Sequence, residues 1–285
     1  MVVMQTAAST TVTLRQPARG GPHLVEWACE ALGTAVLLLV GLSAVCLDFG
    51  PHSPMHEYST SARLLLTGLL FAGTGSLLAL WPPGRRSGAH LNPVVTLAFW
   101  TQGKVHRHDL AGYVVGAVAG TALLRLLWGR EARAVQFGAT LPGPGVSDLR
   151  AVLIEAAMTA SLVLVILLMT SSARSARWTP LVLWPLIASL VWQGAPYTGT
   201  SLNPARSFGP DLLASLLTDH YWVYVAGPGA GAMIAVGIFT LFRDRRVLTA
   251  KLFHDPRYLS TLGSDLPTRA PHDVAVTRCA EPPAE

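Results

Sequence analysis

Ser87-Gly88-Ala89-His90-Leu91-Asn92-Pro93-Val94 and Gly199-Thr200-Ser201-Leu202-Asn203-Pro204-Ala205-Arg206 read as one device used twice. Each lies beside long apolar stretches, where an Asn-Pro pair is unwelcome unless the structure uses it. Asparagine is a good helix N-cap and proline fits the first helical position, so each Leu-Asn-Pro predicts the start of a helix. One such pair is ordinarily just a turn or a helix start. Two of them at membrane depth, one in each half of the chain, predict broken helices facing each other across a pore.

The surrounding sequence supplies the membrane. The 285 residues are 51% hydrophobic and only 13% charged, with a mean hydropathy of +0.43. A soluble chain carries about twice that charged fraction. Windows of about 19 residues give six candidate spans, at roughly 24–47, 62–81, 109–128, 150–170, 179–196 and 221–242. Span one contains Glu30 followed by Thr34, and span four repeats the spacing with Glu155 and Thr159. Each half opens on such a helix and continues to an Asn-Pro segment. With three spans per half, the second half enters the membrane in the opposite sense, which is the layout of an inverted repeat. The expected fold is therefore an all-α membrane protein of six transmembrane helices plus two re-entrant half-helices.

Three regions are expected: a disordered cytoplasmic tail at 1–22, a channel domain at 23–251, and a disordered cytoplasmic tail at 252–285. The channel domain divides into halves at about 23–128 and 150–242. The last region carries Pro, Asp, Thr and Arg and ends in Ala280-Glu281-Pro282-Pro283-Ala284-Glu285, a composition unable to bury a core. The first region shows no short apolar run before a small-residue cleavage site, so no cleaved signal peptide is expected.

Net charge is +5, but its placement argues against a nucleic-acid partner. Basic residues fall in alternating connections: Arg15 and Arg19 before span one, and Arg85, Arg86, Lys104 and Arg107 between spans two and three. Arg174 and Arg177 lie between four and five, and Arg243, Arg245, Arg246 and Lys251 follow span six. This is the positive-inside pattern of a multi-pass protein with both termini cytoplasmic, in its simplest location a cell membrane. Arg130, Arg133 and Arg150 oppose it from the connection between spans three and four. Cys29, Cys46 and Cys279 form no disulfide framework, and no metal or cofactor signature is present. No nucleophile–base pair suggests an enzyme.

A carboxylate near the centre of a membrane helix is costly, so Glu30 and Glu155 are expected to face a cavity or partners. The unpaired backbone N–H groups of re-entrant loops are natural partners. A proton relay is the alternative, and would suit a secondary transporter, since inverted repeats with broken helices also build those. Arg206, on the first turn of the second half-helix, would bring a permanent charge and many donors to the lumen; its bland reading is a loop arginine among headgroups. His90 reads equally as a buried, hydrogen-bonded residue or as part of a vestibule.

These motifs resemble the aquaporin and glycerol-facilitator family, the major intrinsic proteins. Ser-Gly-Ala-His-Leu-Asn-Pro at 87–93, Thr-Gly at 198–199 and Asn-Pro-Ala-Arg-Ser-Phe-Gly-Pro at 203–210 are close copies of its two signatures. The span-one and span-four glutamates and Trp222…Gly227-Pro228 match as well, so the resemblance covers about residues 23–242. It implies one pore per subunit, a homotetramer in the bilayer, and passage of water and small neutral solutes with ions and protons excluded. The lumen would be lined by the Asn92 and Asn203 amides and by backbone carbonyls around Gly88 to His90 and Gly199 to Ser201. The resemblance further implies a filter at Ala72, Val191, Thr200 and Arg206. Water-selective members place an aromatic ring at the first position and His at the second, so Ala72 and Val191 predict a wider, less polar filter. Glycerol channels carry Asp after the arginine, where this chain has Ser207. Tyr224 also looks like the water-channel type, whereas Asp211 and Val225 do not. Val94 replaces the usual Ala of the first signature.

Overall fold

The computed structural model describes residues 23–267 apart from 108, 110–113, 218 and 259. The expected tail at 1–22, and residues 268–285 of the one expected at 252–285, lie outside the described residues. Eleven α-helices follow in order among them: α1 (Leu24–Phe49), α2 (Thr60–Leu80), α3 (Pro82–Ser87), α4 (Pro93–Thr101), α5 (Val114–Trp128), α6 (Arg130–Ala134), α7 (Asp148–Thr170), α8 (Ala173–Ala176), α9 (Thr179–Thr198), α10 (Pro204–Ala214) and α11 (Val223–Thr240). The helices α1, α2, α7 and α11 are each long and apolar enough to cross a hydrocarbon core. The third expected span is α5, and the fifth is α9, whose Pro180, Pro185, Gln193 and Pro196 dilute its apolar character. The half-helices are α4 and α10.

The packing repeats between halves. The helix α1 packs on α5 as α7 packs on α11, and α2 meets α9 across the boundary between the halves. Each half-helix lies against the third long helix of the other half, α10 on α5 and α4 on α11. Exchanging α1 with α7, α2 with α9, α4 with α10 and α5 with α11 leaves this pattern unchanged, as an inverted repeat requires.

Glycine sets the closest approaches. A Cβ at Gly116 would lie 2.1 Å from the Ala31 carbonyl oxygen, and one at Gly231 would lie 2.3 Å from that of Ala156. Ala31 and Ala156 follow the two glutamates directly, so the same backbone contact is built in both halves. Without a hydrophobic driving force between helices in lipid, such small-residue contacts are how membrane helices hold together.

The face on which α1 begins and α11 ends is called here the terminal face. The chain after α11 departs from expectation. Residues 252–267 were expected to be disordered, but Leu252, Leu262 and Leu266 are buried, and Thr249 and Ser264 form an antiparallel bridge. The Leu248 N–H donates to the Thr170 carbonyl at the end of α7, and Lys104 pairs with Asp265 at 2.9 Å. The polar composition concealed an order that comes from contacts with distant helix ends.

Candidate functional site: a lumen between two half-helices

Each signature loop enters between the long helices and turns into its half-helix at the asparagine. Asn92 Oδ1 accepts from the Val94 N–H at 3.1 Å, and Asn203 Oδ1 accepts from Ala205 at 3.0 Å, each capping its own helix. The amide nitrogens then reach across: Asn92 Nδ2 donates to the Leu202 carbonyl at 2.8 Å, and Asn203 Nδ2 donates to Leu91 at 2.6 Å. The two caps are thus tied to each other's loops. Each NH2 group has a second hydrogen beyond this bond.

The loops match in backbone conformation too. Gly88, Ala89 and Leu91 have φ of 113°, 54° and 50°, and Gly199, Thr200 and Leu202 have 69°, 51° and 57°. Four of these six are not glycine, and a left-handed conformation costs such a residue about 1–3 kcal/mol unless its surroundings impose it. The glutamates supply that constraint. Glu30 accepts from the His90 and Leu91 N–H groups at 3.1 and 2.9 Å. Glu155 accepts from the Ser201 and Leu202 N–H groups at 2.8 and 2.9 Å and from the Thr198 hydroxyl at 2.7 Å. Both carboxylates are buried behind the loops and committed to these donors.

A cavity of about 320 Å³ runs between the halves, from Phe49, Val135 and Gly138 on one side to Ala79, Pro180 and Leu252 on the terminal face. Asn92, Asn203, Arg206, Ala72, Val191, Thr200 and His90 all line it. Arg206 is only 7% exposed; its Nη1 donates to the Gly138 carbonyl at 2.6 Å. That bond draws the loop after α6 onto the lumen, a contribution from the connection between spans three and four that no sequence motif announced. Ser201, Ser207 and Thr140 join in hydroxyl contacts of 2.6 Å behind the arginine.

Two contacts go beyond the expected lining. Ala72 lines the cavity, but Phe71 beside it does as well, and the Arg206 guanidinium lies 5.7 Å from the Phe71 ring centroid. An aromatic ring therefore stands next to the arginine in addition to the small side chain expected on the lumen. Gly68 and Gly73, both pressed against α9, fix this rotation of α2 through packing, a fit that sequence position alone did not announce. Second, the Gly88 carbonyl accepts from the Leu252 N–H at 3.0 Å, so the chain itself engages an acceptor expected to face the lumen. His90 stacks on Phe99, contacts the Thr96 hydroxyl at 3.0 Å, and bonds through Nε2 to the Ala250 carbonyl. His90 is thus hydrogen-bonded on the cavity wall.

The opposed half-helices also define an electrostatic environment. Their N-termini meet at the asparagines, and each behaves as roughly half a positive charge. Arg206 adds a full charge on the same path. Among the described residues no group of three or more His, Cys, Asp or Glu is placed to hold a metal ion.

Comparison with known proteins agrees with this architecture. The family model described as major intrinsic protein matches residues 22–239. A probable aquaporin AqpM of Archaeoglobus fulgidus is 32% identical over 235 residues, covering 75% of this chain and 95% of the relative. A glycerol uptake facilitator protein-like 6 of Lactiplantibacillus plantarum is 30% identical over 216 residues, covering 74% and 94%. The crystal structure of the aquaglyceroporin from Plasmodium falciparum shares the fold, with a TM-score of 0.64 at 22% identity, over 76% of this chain and 96% of that one. The chain belongs to the major intrinsic protein family. It is a multi-pass membrane channel, not an enzyme.

Proposed function

We propose that the chain is a passive pore of the cell membrane for water and small uncharged solutes such as glycerol or urea, and that it excludes ions and protons. The observation that carries this reading is the reciprocal tie between the Asn92 and Asn203 caps, which opposes the positive ends of α4 and α10 on one cavity. A neutral molecule can exchange its water partners for the remaining Asn92 and Asn203 N–H groups and for loop carbonyls. A cation meets both helix ends and Arg206, an electrostatic barrier of the kind that selects against protons and cations. Ala72, Val191 and Thr200 leave the passage wider than an aromatic–histidine filter would, while Phe71 narrows it on the arginine's side. Glu30 and Glu155 anchor the loops, a role supported by their fully engaged oxygens. The basic connections favour both termini in the cytoplasm, and the family resemblance favours a homotetramer.

The experiment is stopped-flow light scattering on proteoliposomes, comparing osmotic shrinkage with glycerol and urea re-entry, on the full chain and on one ending at Arg246. Shrinkage and solute re-entry faster than in empty vesicles, linear in concentration, are expected. Saturable uptake against a gradient would replace the pore with a transporter. Flux equal to empty vesicles for both chains would overturn the reading.

A further inference from the structure

The chain beyond α11 changes character sharply. Residues 241–246 are exposed and basic, whereas Val247, Thr249, Ala250, Lys251 and Leu252 are buried. The turn that follows folds back so that the Asp265 N–H donates to the Leu248 carbonyl at 2.7 Å. This closed loop is fastened to both halves of the molecule. On the second half, Leu248 bonds to Thr170 at the end of α7. On the first half, Lys251 Nζ donates to the Arg85 carbonyl at 3.0 Å, Leu252 donates to Gly88, and Asp255 pairs with Arg85 at 3.0 Å. The segment is thus tied at once to the ends of α7 and α3, one in each half.

Its contacts reach the lumen itself. The Leu252 side chain lines the cavity at the end marked by Ala79, Ala89 and Pro180. The carbonyl it engages, on Gly88, belongs to the loop that forms the pore, and Ala250 holds the lumen-lining His90 through its carbonyl. A Cβ at Gly88 would stand 3.0 Å from the Ala250 oxygen and 3.2 Å from Leu262 Cδ1, so the loop surface is shaped to receive this segment. We propose that the described residues of Val247–Leu266 form an autoinhibitory plug: docked, it places Leu252 in the mouth of the channel on the terminal face, and conduction requires its release. The inference rests on the channel reading above. While docked, the plug occupies with its own N–H the acceptor that a permeating molecule would use on entry, and presents an isobutyl group in its place.

The test compares osmotic water permeability per reconstituted chain for the full protein, for a chain ending at Arg246, and for two full-length variants, Leu252→Asp and Leu252→Met. Leu252→Asp brings an unpaired carboxylate to a buried position and so drives the segment out; Leu252→Met keeps volume and apolarity. The shortened chain and Leu252→Asp should conduct at least ~5-fold faster than the full chain, the gain expected when a state docked about 80% of the time is abolished. Leu252→Met should stay near the full chain's rate. Should the shortened chain fail to fold, the full-length pair decides. Equal, rapid permeability in all folded chains would overturn the plug and leave the channel standing. Permeability equal to empty vesicles in every chain would overturn both.

Discussion

Replacing Glu155 by alanine tests whether the strained signature loop is held by its carboxylate. The substitution removes the acceptor for the Ser201 and Leu202 N–H groups and for the Thr198 hydroxyl, all of them buried. A hydroxyl can rotate toward another acceptor, but the two N–H groups are fixed by the backbone. Leaving a buried donor unsatisfied costs ~1–3 kcal/mol, so two of them cost ~2–6 kcal/mol. At ~2–4 °C per kcal/mol for a chain of this size, the thermal transition should fall by roughly 4–24 °C. Glu155→Gln keeps one carbonyl oxygen and turns an NH2 group toward one donor, so it should lose about half as much. Glu30→Ala, with two loop N–H donors and no hydroxyl, should fall within the same range. The assay is tryptophan fluorescence of the purified chain in detergent during heating, with permeability measured on whatever remains folded. Transitions unchanged in Glu155→Ala would refute the anchoring argument. Unchanged stability with a lost proton-coupled flux would instead assign the carboxylate to a relay.

Arg206→Ala should raise proton or cation conductance in a folded channel, because it removes the full charge on the path; vesicle acidification under an imposed potential reads this directly. Phe71→Ala should raise the ratio of glycerol to water permeability and Val191→His should lower it, since the first widens the lumen beside Arg206 and the second fills it. Gly116→Val should abolish folded protein in detergent, because even a Cβ would sit 2.1 Å from the Ala31 oxygen, while Gly229→Ala, with nothing within 4 Å, should be tolerated. Docking of the plug should strengthen as pH rises. Burial, helped by the Arg86 charge, holds the Lys251 amine down at about 8 against Glu26 and Asp255, which favour its charged form. The docked state thus binds fewer protons than the released one, whose amine titrates near ~10.4. Docking is weakest below about 8 and gains above it, so tryptic cleavage after Lys251, relative to the exposed Arg243, should decline on raising the pH through that value.

The half-helices were legible because their signals are local. An Asn that caps and a Pro that fits the first turn act within three residues, and no distant contact is needed to read them. The glutamates were legible for a different reason: a charge at membrane depth demands partners, and the loops had N–H groups to offer. Phe71 was missed because adjacent helical residues point about 100° apart, and sequence position alone leaves that rotation open. What fixes it is the fit of α2 against its neighbours: a Cβ at Gly41 of α1 would strike the Phe71 ring, and Gly68 and Gly73 seat α2 on α9.

The plug was invisible for a deeper reason. Composition judges whether a segment can bury a core of its own, and residues 252–267 cannot. They are ordered by a surface made elsewhere: the carbonyls of Arg85, Gly88 and Thr170, the Lys104 ammonium and the hollow over Gly88. Backbone carbonyls carry no signature in a sequence, because every residue has one. A re-entrant loop in left-handed conformation is unusual in leaving such groups unpaired, and irregular backbone at that depth persists only where protein or a water-filled cavity receives it. In the second half, the Ser201 hydroxyl meets Ser207, which in turn meets the Thr140 hydroxyl. In the first half, the chain's own later segment reaches Gly88 and His90. The inverted repeat is therefore symmetric in its helices and asymmetric in what covers its two loops: the connection after α6 reaches one end of the cavity, and the chain's own later segment reaches the terminal face.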